Sequence, residues 1–150
     1  AGIVGMATAL AVAAERRAEE APRVAALRDR LAGGLTAALP GSRVNGAPVH
    51  KLINNCHVTF PGVESEALLL LLDREGLCAA AGSSCASGAM DPSHVLAAMG
   101  MPRDRARASL RLTLGWTSTD ADVDEALALI PAAVERLRPL AAPHRQAAGH

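Results

Sequence analysis

The chain has 150 residues, half of them apolar, and fifteen basic side chains balance fifteen acidic ones. That length and apolar content suit a single domain with a sizeable core and exclude wholesale disorder. The zero formal net charge gives no overall basic field for a phosphate backbone. Phe60 and Trp116 are the only aromatic residues, too few for a base-stacking platform, so nucleic acid is not an expected partner. The apolar run 67–72 is too short to span a bilayer, and no membrane partner is expected.

The first 39 residues carry Ala and Leu at spacings of three and four, which predicts a helix, with a break or kink near Ala21 suggested by Pro22. The chain opens without methionine, and no charged segment precedes its apolar start; we read it as an amphipathic helix cut from a longer chain. Its charges, from Glu15 to Arg30, mix both signs as a solvated face does. Pro40-Gly41 ends it. A short strand is predicted over 42–45 and another over 55–60, where Val58 and Phe60 alternate. A helix follows over 64–75, with Gly76 at the position of a C-terminal cap. Residues 77–81 read as a short strand, and 82–88 as a loop of small residues.

Asp91-Pro92-Ser93 carries the signature of a helix start, and that helix should end at Gly100. In 110–114, Leu110, Leu112 and Leu114 face one way and Arg111 and Thr113 the other. Thr119 or Asp120 caps a last helix over 121–137, and the Pro/Ala-rich tail from Pro139 is expected to be mobile. Strands separated by helices, few and short, give an α+β fold or small α/β layer. No internal repeat and no glycine-rich nucleotide loop is present.

Three dispersed cysteines form neither a disulfide scaffold nor a zinc-ligand pair, and an odd count of thiols fits a reducing, cytoplasmic compartment. Cys56 and Cys78 sit in strand patterns and read as core residues. Cys85 is different: its Gly and Ser neighbours leave a thiol accessible, although an incidental loop cysteine would look the same. Arg111 is either a solvated strand residue or a planar fork that clamps a carboxylate. His50, His57 and His94 suggest a Cys–His hydrolase only weakly, because no third residue orients them. No standing metal site is expected.

Several stretches together resemble one family. Residues 82–88, Gly-Ser-Ser-Cys-Ala-Ser-Gly, followed by Asp91-Pro92-Ser93-His94 and on to Gly100, resemble the long active-site loop of the group I cysteine desulfurases. These are fold-type I, pyridoxal-phosphate (PLP)-dependent enzymes of the class V aminotransferase superfamily. Ile3-Val4-Gly5-Met6 resembles the family's connecting helix. Val58-Thr59-Phe60-Pro61-Gly62 resembles its small-domain strand and turn. Residues 108–115, with Thr119 and Asp122-Val123-Asp124, resemble its terminal strand and helix.

The resemblance implies the C-terminal small domain of such an enzyme: a short, mainly antiparallel sheet packed against helices. The implied division is a connecting helical segment over 1–38, the small domain over 39–138 with the cysteine loop at 82–90, and a tail over 139–150. It makes Cys85 the nucleophile that takes sulfur from L-cysteine, leaving L-alanine and a cysteine persulfide. Gly82, Ser83, Ser84, Ala86, Ser87 and Gly88 form its loop. Arg111 becomes the ligand of the substrate carboxylate.

PLP is implied for the full-length enzyme, but its lysine and other ligands fall upstream, so no cofactor-binding residue is expected in this chain. Lys51, the only lysine, has the wrong flanks, and the chain alone is expected to be inactive. His57 stands where many relatives carry Asn. The implied partners are iron–sulfur scaffold or sulfur-acceptor proteins, with transient contact of Cys85 to a nascent cluster, and a second copy in a homodimer. A selenocysteine lyase and a non-enzymatic persulfide-carrying or scaffold-docking module are the alternatives.

Overall fold

The computed structural model describes residues 1–81 and 93–141. The chain is an α+β unit in the order α1 (Gly2–Ala38), β1 (Arg43–Val44), β2 (Asn55–Thr59), α2 (Ser65–Arg74), α3 (His94–Ala98), α4 (Arg103–Arg107), β3 (Ser109–Thr113) and α5 (Asp120–Ala141). The three strands form one antiparallel sheet in the order β1-β2-β3.

Alternation divides the sheet into two faces. Cys56 and Val58 of β2 and Leu110 and Leu112 of β3 are buried on one side. They meet Leu27, Leu31 and Leu35 of α1, Leu68 and Leu72 of α2, and Ile130 and Val134 of α5 in a single core. Each such leucine contributes about 2 kcal/mol by leaving water. Phe60 is fully buried with them, whereas Trp116 is 71% exposed. The leucine alternation of β3 is as the sequence predicts, with Arg111 and Thr113 exposed on the opposite face.

Local signals account for the helix ends. Gly76 takes φ +82°, and the Leu77 and Gly76 amides donate to the carbonyls of Leu72 and Asp73, closing α2 with a two-bond C-terminal cap. Gly100, at φ +75°, closes α3 in the same way. At the start of α5, the Thr119 amide donates to the Asp122 carboxylate at 2.7 Å and the Asp122 amide to Thr119 Oγ1 at 3.3 Å. This reciprocal capping pair selects Thr119 over Asp120 as the cap.

Five points differ from these expectations. Of the break or kink expected at Pro22 there is no break, since Pro22 lies inside α1; it is exposed, so water can take the carbonyl that its missing N–H leaves unbonded. Residues 77–81 make only an isolated bridge, Ala80 to Arg111, not a strand. Cys78 is exposed rather than in the core, because a segment held by a single bridge does not turn one whole face inward. α4 has no counterpart in the sequence reading; its charged Arg-Asp-Arg-Ala-Arg run buries only Ala106, too little apolar periodicity to announce a helix. α5 also continues two residues past Pro139.

Candidate active site

The polar face of the sheet carries the candidate residue Arg111. Asn45 extends β1 by donating its amide to the His57 carbonyl at 2.8 Å, and His57 is registered opposite Arg111. The amide and carbonyl of Arg111 both pair with Ala80, at 2.7 and 3.0 Å. Asn45, His57, Arg111 and Ala80 therefore form one row across the sheet. The backbone groups of His57 turn toward β1 and those of Arg111 toward Ala80. The two residues thus form a non-hydrogen-bonded pair, the kind in which side chains stand closest, with Cα atoms about 4.5 Å apart.

Arg111 is held by backbone bonds while its side chain stays exposed. Among the described residues, no carboxylate pairs with its guanidinium. A rigidly based, unpaired cationic fork is suited to an anionic ligand of planar geometry.

Beside it runs a hydrogen-bonded network. Arg105 Nη2 donates to Asn45 Oδ1 at 2.8 Å. Asn45 Nδ2 lies 2.9 Å from His57 Nδ1 and donates to Thr59 Oγ1 at 2.8 Å. Thr59 Oγ1 meets Ser109 Oγ at 2.8 Å, and Ser109 Oγ donates to the Arg105 carbonyl at 2.7 Å. Thr59 and Ser109 are buried, so the network satisfies groups that would otherwise be costly to desolvate. Burial, and then the Arg111 charge, hold the His57 pKa below its ordinary value.

The other candidates are placed less favourably for reaction. Cys56 is fully enclosed on the core face, and burial pushes its thiol up to about 11, so it is a neutral thiol at physiological pH. His50 and His94 are exposed on separate segments. Cys85 and the loop residues Gly82, Ser83, Ser84, Ala86, Ser87 and Gly88 lie outside the described residues, as do Asp91 and Pro92. Among the described residues, no group of His, Cys, Asp and Glu side chains could hold a metal ion, and no helix is long and apolar enough to cross a membrane.

The described residues do not fit a PLP site. Lys51, the only lysine, has its ammonium 3.9 Å from the Asp29 carboxylate of α1, and its charge acts on Cys56 of the core face. Arg111 stands on the other face. The position of α1 also leaves an unfilled groove of about 710 Å³, lined by Ala9, Val12, Ala13, Ile53, Leu114 and Trp116 among others. Ile3, Val4, Met6 and Leu10 are exposed along the same helix.

Sequence reasoning singled out Arg111 as a candidate and gave no site role to Asn45, Thr59, Ser109 or Arg105. Arg43, Asn45, His57, Thr59, Arg111 and Thr113 all fall on the non-core parity of the strands. That row of polar residues was the available signal.

Comparison with known proteins agrees with this architecture. The family described as Aminotransferase class-V matches residues 1–126. An IscS-like cysteine desulfurase of Mycobacterium tuberculosis is 49% identical over 140 residues, covering 92% of this chain and 35% of that protein. Cysteine desulfurase 2 of Trichormus variabilis is 45% identical over 120 residues, or 80% of this chain and 30% of that one. A solved NifS-like protein superposes with a TM-score of 0.78 at 30% identity, covering 91% of this chain and 34% of its own. The chain spans about a third of the length of these relatives. With five-sixths of its sequence matched and its fold shared with a NifS-like structure, the chain belongs to the class-V aminotransferase family.

Proposed function

We propose that this chain is the C-terminal part of a cytoplasmic cysteine desulfurase. In the reaction, the Cβ–S bond of L-cysteine breaks and an S–S bond forms to the Cys85 thiol. The carbon gains a proton and leaves as L-alanine, and Cys85 becomes a persulfide. The persulfide then passes its outer sulfur to a sulfur-acceptor or iron–sulfur scaffold protein. Arg111 binds the substrate carboxylate. In the complete protein, PLP supplies the electron sink for C–S cleavage and is held by residues outside this chain.

The observation that carries this reading is Arg111: a fork fixed through both backbone groups, exposed, and unpaired with any carboxylate among the described residues. The desulfurase names of the two curated relatives point the same way. The exposed apolar residues of α1 and the groove beside them are the surface on which the remainder of the protein packs, including its contacts in a homodimer. Among the described residues none fits a cofactor site, and on this reading the chain alone is inactive.

The test uses the full-length protein. Mass spectrometry after incubation with L-cysteine should find one additional sulfur on Cys85, and Cys85→Ala should abolish it. Arg111→Ala should raise KM for L-cysteine at least tenfold, the loss expected for a charge-assisted carboxylate contact of about 1.5–3 kcal/mol. Persulfide on Cys78 instead of Cys85, or an unchanged KM in Arg111→Ala, would refute the assignment.

A further inference from the structure

The network beside Arg111 fixes more than packing. Arginine only donates hydrogen bonds, so the contact from Arg105 Nη2 identifies the Asn45 atom it meets as the amide oxygen. The Asn45 nitrogen must then face His57 Nδ1 and Thr59 Oγ1. An amide nitrogen also only donates. His57 Nδ1 is therefore the acceptor, and a neutral ring must carry its proton on Nε2. Two donor-only groups in series select one tautomer of the imidazole.

The direction of the free donor follows. Asn45 occupies the β1 side of His57, while Arg111 stands opposite on the β3 side in the closer type of cross-strand pair. The only buried side-chain atoms without a partner among the described residues are Asn55 Oδ1 and Arg105 Nε, so His57 Nε2 is not one of them. Burial and the Arg111 charge also keep the ring neutral. Arg111 is the charged residue registered against His57; the neighbouring Asn45 is uncharged and has Arg105 behind it.

We propose that His57 is a second substrate-binding residue, a fixed Nε2–H donor that shares the substrate carboxylate with the Arg111 guanidinium. This rests on the reading of Arg111 as the carboxylate ligand. Cation and neutral donor play complementary parts. Arg111 supplies the charge, and His57 adds a directional bond without the repulsion that a second cation at this distance would bring. Arg105, Asn45 and Thr59 are positioning residues that act through the ring. An asparagine at position 57 could also present an N–H here, so the inference concerns a donor at this register and not the imidazole alone.

The experiment measures L-cysteine kinetics of the full-length protein in four forms: wild type, Arg111→Ala, His57→Phe, which fills the site without a donor, and His57→Gln, which restores one. Nitrogen-15 NMR of labelled histidine assigns the tautomer. The expected result is a KM raised about tenfold in His57→Phe with kcat held within about twofold, the pattern of lost substrate binding. Recovery of most of that loss is expected in His57→Gln, with an Nε2–H signal for His57 in wild type. If Arg111→Ala raises KM and His57→Phe does not, the inference fails while the reading of Arg111 stands. If Arg111→Ala leaves KM unchanged, the reading of Arg111 itself fails. An Nδ1–H tautomer overturns the inference whether or not the variants fold.

Discussion

Raising the pH isolates Cys56. Burial on the core face lifts its thiol from an ordinary 9.0 to about 11. Between those values the unfolded chain has released the proton and the folded chain still holds it. The folded state binds more protons there, so stability falls as pH rises through the window. Two pH units at about 1.36 kcal/mol each give an upper limit of about 2.7 kcal/mol. The background is low: the sequence has no tyrosine and Lys51 is its only lysine. Urea unfolding under reducing conditions, from about pH 8 to pH 11, should show wild type losing up to that amount relative to Cys56→Val. Parallel curves for the two proteins would refute the argument. At neutral pH the same burial predicts that a thiol reagent labels Cys78 and spares Cys56 until the chain unfolds.

Other outcomes follow from the same geometry. The depressed pKa of His57 means the unfolded chain takes the proton first, so its contribution is full above 6.5 and is lost as pH falls through the folded value; His57→Gln should flatten that acid limb in the same unfolding assay. Gly33→Ala should stabilise by about 0.5–1 kcal/mol, since a Cβ there meets nothing within 4 Å. Gly34→Ala should forfeit that gain, because its Cβ would come within 2.5 Å of Leu127 Cδ2 where α1 crosses α5; thermal melts of the pair decide this. Thr119→Ala should cost about 1 kcal/mol in thermal unfolding by removing one side of the α5 cap. Sedimentation of the chain alone should show self-association that Ile3→Glu and Leu10→Glu together suppress, since both residues are exposed on α1.

Much of this fold is legible in the sequence because its signals are local. The Leu110–Leu112–Leu114 alternation declares a strand with one buried face, and Gly76 and Gly100 mark helix ends that only a residue free to take positive φ closes easily. Where the signal is non-local the reading fails. Residues 77–81 have strand-like composition, but whether they pair is decided by what lies beside β3, and only Ala80 finds a partner. Cys78 follows that failure to the surface. At the site, Arg111 is visible as an arginine among leucines. The tautomer of His57 is invisible, because it depends on Arg105, sixty positions from Asn45, and no periodicity encodes that meeting.

Helix α1 has 37 residues, a rod of about 55 Å at 1.5 Å per residue. Its buried positions run from Val24 to Leu35, and its residues 2–19 are exposed. Pro22 sits at the boundary between those halves. A missing backbone hydrogen bond at that point makes the rod softest where it leaves the core. On its C-terminal side the rod is clamped by Arg28 to the Leu52 carbonyl and by Arg30 to Asp120 and Asp124 of α5. One anchored half, one exposed half and a notch between them describe a cantilever. A load applied near Met6 is concentrated at Pro22 before it reaches the sheet that carries Arg111.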